Sequence, residues 1–242
     1  TALLFFIKSR HITKEFLKEK NLVPDVEINP DLLNLGTETA FNFGAEVAVL
    51  ESDKKFEQIY KFHVGDTGPK TPQPIIDVAI QALQDKQTKY AHFKGFPQVR
   101  KNIAKYVSET RGVEINQENI ILQPGGKPAI ELTMQALLAP GDCVVVQNPG
   151  YPIYDSLASF YSKKNNIPWT AKYNEDKERL EFKLEDLENI LQSGKKIKLL
   201  CLNTPQNPTG MMMTREKIEA IAELAKQYNF MIIYDDIYDR IT

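Results

Sequence analysis

The sequence predicts an α/β fold with a mostly parallel sheet that carries helices on both faces. Two apolar runs, Ile197 to Leu202 and Phe230 to Tyr234, have the length and continuous hydrophobicity of buried strands. Between them, Thr214 to Tyr228 places its apolar residues at helical spacing. Strands that alternate with helices in this way form βαβ units, in which the strands run parallel.

The remaining elements follow from the same patterns. Helical periodicity predicts a short amphipathic stretch at Ile12 to Lys20 and helices at Glu38 to Glu51, Ile75 to Leu83, Val99 to Val107, Gly126 to Leu138 and Leu184 to Leu191. Two further apolar runs predict strands at Ile120 to Leu122 and at Cys143 to Gln147. A turn, Pro140-Gly141-Asp142, leads into the second of these strands.

Composition and charge narrow the classes of function. Of 242 residues, 42% are hydrophobic and 26% are charged, as in ordinary soluble globular proteins. Lys and Arg number 30 against 32 Asp and Glu, a balance that favours neither nucleic acid nor an anionic membrane as a partner. Cys143 and Cys201 lie in predicted strands and are expected to be buried thiols. The three histidines do not have the spacing of metal ligands, and the apolar stretch from Ala2 to Ile7 is too short to span a bilayer. We therefore expect a cytoplasmic enzyme without a metal site.

Polar side chains follow the two buried strands at the points where the strands end. The first strand leads into Asn203-Thr204-Pro205-Gln206-Asn207-Pro208-Thr209-Gly210, and the second leads into Asp235-Asp236-Ile237-Tyr238. Parallel strands bring their carboxyl ends to one edge of the sheet, where open α/β sheets bind their ligands. An amide, Asn207, and a carboxylate, Asp235, are therefore expected at the same edge.

A second candidate site is Gly125-Gly126-Lys127, between a predicted strand and a predicted helix. Free N–H groups at a helix start, with no Cβ to keep an anion away, bind phosphate, although a glycine pair also makes a plain tight turn. The nucleotide-binding Walker A loop is excluded, because Ile121 and Pro128 stand where it requires Gly and Ser or Thr.

Aromatic residues follow the strand that ends at Gln147. The segment Asn148-Pro149-Gly150-Tyr151-Pro152-Ile153-Tyr154 offers rings that could stack on a planar ligand or cap the protein core. Both readings are open at this point.

The order of these motifs resembles that of the class I and II aminotransferases, enzymes of the pyridoxal-phosphate-dependent fold-type I superfamily. Asn207-Pro208-Thr209-Gly210, followed after a helix by Asp235-x-x-Tyr238, carries the resemblance, which extends from about Leu35 to the last residue. It implies the fold-type I transferase fold, incomplete at the carboxyl terminus, and pyridoxal 5'-phosphate as cofactor. Residues 1–60 would be an amino-terminal segment and part of a small domain, and residues 61–242 a partial large, cofactor-binding domain.

The resemblance also implies a role for each motif. The cofactor phosphate would be held by Gly125, Gly126 and Lys127, the ring face by Tyr151, the phenolic oxygen by Asn207 and Tyr238, and the ring nitrogen by Asp235. An aspartate at the ring nitrogen keeps it protonated, so that the ring accepts electrons from the substrate Cα. Asp235 and Tyr238 are therefore the catalytic candidates.

Two upstream segments contain residues that, by the resemblance, contact the other subunit's cofactor or the substrate. Thr88-Lys89-Tyr90 looks like the segment whose tyrosine reaches the cofactor phosphate of the other subunit in a homodimer. Gly65 would offer its N–H to the substrate carboxylate, with Asn207 as a second substrate contact, although Thr67 and Gly68 replace the family's Pro and Asp. The family also leads us to expect cis peptide bonds at Asn148-Pro149 and Asn207-Pro208.

The expected activity is amino-group transfer between an amino acid and a 2-oxo acid. The family's Schiff-base lysine lies downstream of Asp-x-x-Tyr, and only four residues follow Tyr238, so we expect a fragment that lacks this lysine and is inactive alone. A pyridoxal-phosphate-dependent lyase that breaks C–S or related bonds would share every motif. A non-catalytic half that binds the cofactor or a partner is a third interpretation.

Overall fold

The computed structural model describes residues 29–35, 39–53, 56, 58–62, 64–65, 68–176 and 178–241. Its central sheet contains β1 (Cys143–Asn148), β2 (Asn166–Thr170), β5 (Ile197–Asn203) and β6 (Met231–Asp235). These four strands are parallel and lie in the order β2-β1-β5-β6. The short strands β3 (Lys172–Asn174) and β4 (Arg179–Glu181) form a separate antiparallel pair. The α/β class is confirmed, and so is the parallel pairing of three predicted strands, β1, β5 and β6.

Seven α-helices connect or flank these strands in the described part of the chain. They are α1 (Thr39–Ser52), α2 (Gln73–Gln84), α3 (Pro97–Arg111), α4 (Gly126–Leu137), α5 (Pro152–Tyr161), α6 (Leu184–Leu191) and α7 (Arg215–Tyr228). Short 3₁₀ helices occupy Pro30–Asn34 and Gln117–Asn119. All but α5 were predicted from periodicity, and the stretch predicted at Ile12 to Lys20 lies outside the described residues.

Strand alternation gives the sheet two apolar faces, each covered by helices. On one face Val145, Leu200 and Leu202 pack in a cluster with residues of α6 and α7. On the other face, Val144 and Cys201 pack with residues of α4 and α5. Successive strand residues point to opposite faces, which explains how one continuous apolar run supplies both cores.

Helix α7 has the start and stop signals that place β6 beside β5. The Thr214 hydroxyl caps the helix by accepting the Lys217 N–H at 3.4 Å. The helix ends at Asn229, whose backbone has the left-handed conformation, with a φ of 55°, that Asn tolerates better than most residues. The chain then enters β6 parallel to β5, completing the predicted βαβ unit.

The strand predicted at Ile120 to Leu122 is wrong. This segment is extended, but Ile121 is 59% exposed and the Leu122 N–H donates to the Lys94 carbonyl of a preceding loop, at 3.0 Å. An apolar triplet becomes a strand only when a neighbouring strand pairs with it. In the part of the chain that the structure describes, no strand pairs with this segment.

Candidate active site

The two polar strand ends lie side by side. In the parallel register of β5 and β6, Asn203 is the partner of Asp235. The Asn203 side-chain amide donates to the Asp235 carbonyl at 2.9 Å, and the Thr204 N–H donates to the same oxygen at 3.3 Å. The two strand-end segments that begin at Asn203 and Asp235 thus meet at one edge of the sheet, as expected for parallel strands.

The Asp235 carboxylate lies on the face of the sheet that α4 and α5 cover. Alternation along β6 puts it on the same side as Ile233, which packs against the cluster containing Ile130 and Met134 of α4. Its Oδ2 accepts a hydrogen bond from the Tyr154 hydroxyl at 2.6 Å, and its Oδ1 accepts the Ile237 N–H at 3.1 Å. The carboxylate is therefore held from two sides at the end of the strand.

Tyr154 is the buried partner of this carboxylate. Only 2% of its surface is exposed. Burial, the hydrogen bond to Asp235 and the negative charge of that carboxylate all raise the pKa of Tyr154. Burial and the same charge raise the pKa of the Cys201 thiol in β5. Both groups keep their protons at neutral pH, and Tyr154 acts as a neutral hydrogen-bond donor.

Tyr151 joins the same group through its ring. It packs edge-on against Tyr154, with ring centroids 5.6 Å apart and an interplanar angle of 88°. It is only partly buried, at the N-cap of α5, and it packs on the cluster that includes Ile130. The partial exposure of Tyr151 is compatible with both roles considered for this ring, stacking on a planar ligand and capping the core.

The Asn207 loop is fixed by hydrogen bonds of three side chains, from β1, from β5 and from the loop itself. The Asn207 N–H donates to Asn203 Oδ1 at 2.7 Å, and the Asn203 N–H donates to Gln147 Oε1 of β1 at 2.7 Å. Gln206 Nε2 donates to the Pro149 carbonyl at 2.6 Å. These contacts tie the loops that follow β1 and β5 to one another.

The predicted cis peptide bonds at Asn148-Pro149 and Asn207-Pro208 are confirmed, and Thr204-Pro205 is also cis. Gly150 allows a close approach in the same region, because a Cβ built there would lie 2.2 Å from the Gln147 carbonyl oxygen. Any larger residue at this position would displace the loop that carries Tyr151.

The glycine pair opens α4 as predicted. Gly125 is the N-cap residue with a φ of 101°, and no side chain caps the helix start. A Cβ built on Gly125 or Gly126 would meet nothing within 4 Å. No atom therefore crowds the start of α4 where these Cβ atoms would stand, which leaves room there for an anion. Lys127 follows in the first turn of the helix.

Three predicted site residues are not joined to this group by any contact in the described structure. Tyr90 is fully exposed in the loop before α3. Gly65 has no atom within 4 Å of a built Cβ. Tyr238 lies in the turn after β6, where its carbonyl accepts the Ile241 N–H at 3.0 Å. Their roles remain predictions.

The sequence reasoning missed four residues that build the site: Tyr154, Asn203, Gln147 and Gln206. A signal for the first was present, since Tyr151 and Tyr154 are three positions apart at the start of a helix and therefore share a face. Asn203 and Gln206 belonged to the quoted strand-end motif, but their buried contacts join loops distant in sequence.

The described residues contain neither a metal-binding cluster nor a membrane-spanning helix. Among the described residues, no group of three or more His, Cys, Asp or Glu could hold a metal ion. In the same part of the chain, no helix is both long enough and apolar enough to cross a membrane. Cys143 and Cys201 are buried free thiols, as predicted.

Comparison with known proteins points to one family. The sequence profile described as "Aminotransferase class I and II" matches residues 58–242. A probable aspartate aminotransferase of Methanocaldococcus jannaschii is 34% identical over 180 residues, covering 74% of this chain and 45% of that protein. The aspartate aminotransferase of Thermotoga maritima is 31% identical over 188 residues, covering 78% and 48%. The chain thus spans about half the length of these relatives.

Solved structures agree with the fold. A crystal structure of the Thermotoga maritima aspartate aminotransferase superposes with a TM-score of 0.75 at 26% identity, covering 88% of this chain and 54% of that one. The alanine aminotransferase of Pyrococcus furiosus superposes with a TM-score of 0.78 at 22% identity, covering 88% and 53%, and it supports the fold alone.

Proposed function

Because this chain belongs to the family of class I and II aminotransferases, we propose that it forms the cofactor-holding part of a pyridoxal-phosphate-dependent enzyme that transfers an amino group between an amino acid and a 2-oxo acid. The observation that carries the proposal is the Asp235 carboxylate. It stands at the end of a central parallel strand, in register with Asn203 and hydrogen-bonded by buried Tyr154.

The residues present fit this cofactor. The uncapped start of α4 at Gly125 and Gly126 offers backbone N–H groups to the phosphate. The partly exposed Tyr151 ring would cover the cofactor face and exclude water from it. When bound, the cofactor supplies a pyridine ring that accepts electrons from the substrate Cα.

Asp235 and the loop after β5 complete the arrangement. Asp235 would bind the protonated ring nitrogen, because its negative charge favours that protonated form. Asn207, whose loop is fixed by Asn203 and Gln206, would donate to the phenolic oxygen together with Tyr238. Lys127 adds a positive charge at the phosphate.

Assembly, substrate and location are further parts of the proposal. We assign residues 61–242 to a partial large domain and residues 1–60 to an amino-terminal segment. The fully exposed Tyr90 supports a homodimer in which this side chain reaches the other subunit's phosphate. The relatives named above make aspartate the first amino donor to test. The two free thiols suit the cytoplasm, where cysteines stay reduced.

Cofactor binding to the 242-residue chain tests the proposal. Equilibrium dialysis should detect pyridoxal phosphate bound to the wild type, and Asp235→Asn should weaken it by about 10- to 100-fold, the scale of one lost hydrogen bond between charged groups. Asp236→Asn is the matched control, because this neighbouring carboxylate pairs with Arg111 at 2.6 Å. Equal losses in both variants, or no binding by the wild type, would refute the assignment.

An assay that identifies the type of reaction requires the whole enzyme. Transfer of the amino group from aspartate to a 2-oxo acid, without release of ammonia or thiol, would support the aminotransferase. Release of either product with no oxo-acid dependence would instead identify a lyase built on the same motifs.

A further inference from the structure

The hydrogen bonds to Asp235 are arranged to orient its carboxylate. One oxygen accepts from the Tyr154 hydroxyl at 2.6 Å and the other from the Ile237 N–H at 3.1 Å. A carboxylate has about four acceptor positions, so each oxygen keeps capacity for a further donor. Two donors from different elements, one on each oxygen, fix the plane of the group and leave room for a third partner.

The partner on Oδ2 is neutral, and this matters for the charge of the site. Arg111 pairs with Asp236 and Asp239, while Asp235 takes part in none of the ion pairs between described residues. A Lys or Arg on Oδ2 would offset the negative charge of Asp235, whereas a phenol orients the carboxylate and leaves that charge in place. A cationic ring nitrogen needs both the orientation and the charge.

Tyr154 is itself held rigidly. Its ring is buried in the cluster formed by α4, α5 and the sheet, and it packs edge-on against Tyr151. Burial and Asp235 raise the pKa of Tyr154, so the donor keeps its proton throughout the physiological range. The same side chain therefore contacts the ring proposed for the cofactor face and the carboxylate proposed for its nitrogen.

We propose that Tyr154 is a positioning residue, which holds the Asp235 carboxylate toward the pyridine nitrogen of the cofactor. The inference rests on the proposed function. It predicts that Tyr154 contributes to cofactor affinity through the ring nitrogen and through no other atom of the cofactor.

Two ligands separate this role from a merely structural one. The first is pyridoxal phosphate, and the second is its carbocyclic analogue, in which a CH group replaces the ring nitrogen. Tyr154→Phe should weaken pyridoxal phosphate about 10-fold, the scale of a hydrogen bond to a charged group, and leave the analogue within about twofold. Tyr161→Phe is the matched control, because its hydroxyl lies on the same helix and contacts Glu131 at 3.3 Å.

A second variant tests position while keeping both the charge and Tyr154. Asp235→Glu moves the carboxylate outward by one methylene and should likewise weaken pyridoxal phosphate about 10-fold without affecting the analogue. This variant also tests the positioning role if Tyr154→Phe does not fold.

Four outcomes would overturn parts of this proposal, and they can be told apart. Equal losses on both ligands, or undiminished binding of pyridoxal phosphate by Tyr154→Phe, would refute the positioning role while leaving the cofactor assignment intact. Undiminished binding by Asp235→Glu would refute it as well. Failure of the wild type to bind pyridoxal phosphate would refute the proposed function, and this inference with it.

Discussion

Replacement of Gln206 by Ala should loosen the loop that carries Asn207. The Gln206 side chain is buried, with 3% of its surface exposed. Its Nε2 donates to the Pro149 carbonyl at 2.6 Å, and its Oε1 accepts the Thr209 N–H at 3.1 Å and the Thr209 hydroxyl. The backbone bonds of Gln206 to Met211 and Gly210 survive the substitution. Only the three side-chain hydrogen bonds are lost, and one of them joins the two loops.

The expected cost follows from these contacts. Each of the three lost hydrogen bonds stabilises the folded state by about 1 kcal/mol net of competition with water. The Pro149 carbonyl lies at a partly exposed residue, so water replaces part of its loss. We expect Gln206→Ala to lower the free energy of unfolding by about 2 to 3 kcal/mol, a shift of about 30- to 150-fold in the unfolding equilibrium.

Urea denaturation followed by tryptophan fluorescence measures this difference. Trp169 is the single tryptophan of the chain and is fully buried in the core on the opposite face of the sheet, so it reports global unfolding. Gln98→Ala is the matched control, because its amide donates to Asn102 at 2.9 Å on an exposed helix surface. The control should change stability by less than about 0.5 kcal/mol. Similar denaturation midpoints for the two variants would show that Gln206 does not join the loops.

Three other substitutions test separate parts of the structure. Gly150→Ala places a Cβ 2.2 Å from the Gln147 carbonyl oxygen and should lower the free energy of unfolding by about 1 to 3 kcal/mol; an unchanged urea midpoint would contradict the close approach. The pKa of buried Asp142 is held below its usual range by Lys196, 2.6 Å away, and by the N–H of residue 139. The ionised carboxylate therefore stabilises the folded state above its unfolded-state pKa, and this stabilisation is lost as the pH falls through the folded-state pKa. Asp142→Asn should therefore be less stable than the wild type at pH 7, with a difference that shrinks below about pH 4; a difference independent of pH would contradict this. Tyr90→Phe should leave the urea midpoint unchanged, because the side chain is fully exposed, yet weaken pyridoxal phosphate about fivefold in a dimer; unaltered binding by a demonstrated dimer would remove Tyr90 from the site.

Local pattern was sufficient for most of the secondary structure. The strands at Cys143, Ile197 and Met231 and the helices α6 and α7 lie within one or two residues of their predicted positions. Apolar runs and helical spacing are properties of short segments, and capping residues such as Thr214 mark where those segments stop. The positions of Asn207 and Asp235 at one edge follow from these elements alone, because parallel strands share their carboxyl ends.

The local sequence pattern did not predict secondary structure correctly where an element depends on pairing with a neighbour. Ile120 to Leu122 has the composition of a strand but pairs with none in the described residues, while β3 and β4, which are short and polar, are strands because they pair with each other. Helix α5 is not among the helices predicted from the sequence, and it begins at Pro152, a first helical position where proline is well tolerated.

The site was decided partly by contacts that no local pattern encodes. Tyr154 meets Asp235 across 81 positions, and Gln206 meets the Pro149 carbonyl across 57. A buried hydroxyl or amide must find a partner, but which partner it finds depends on how α5 and the loop after β5 pack on the sheet. The sequence by itself predicted that the carboxylate of Asp235 and the tyrosine rings belong to the site. Only the packing of distant elements determined which tyrosine holds the carboxylate and how the loops around it are joined.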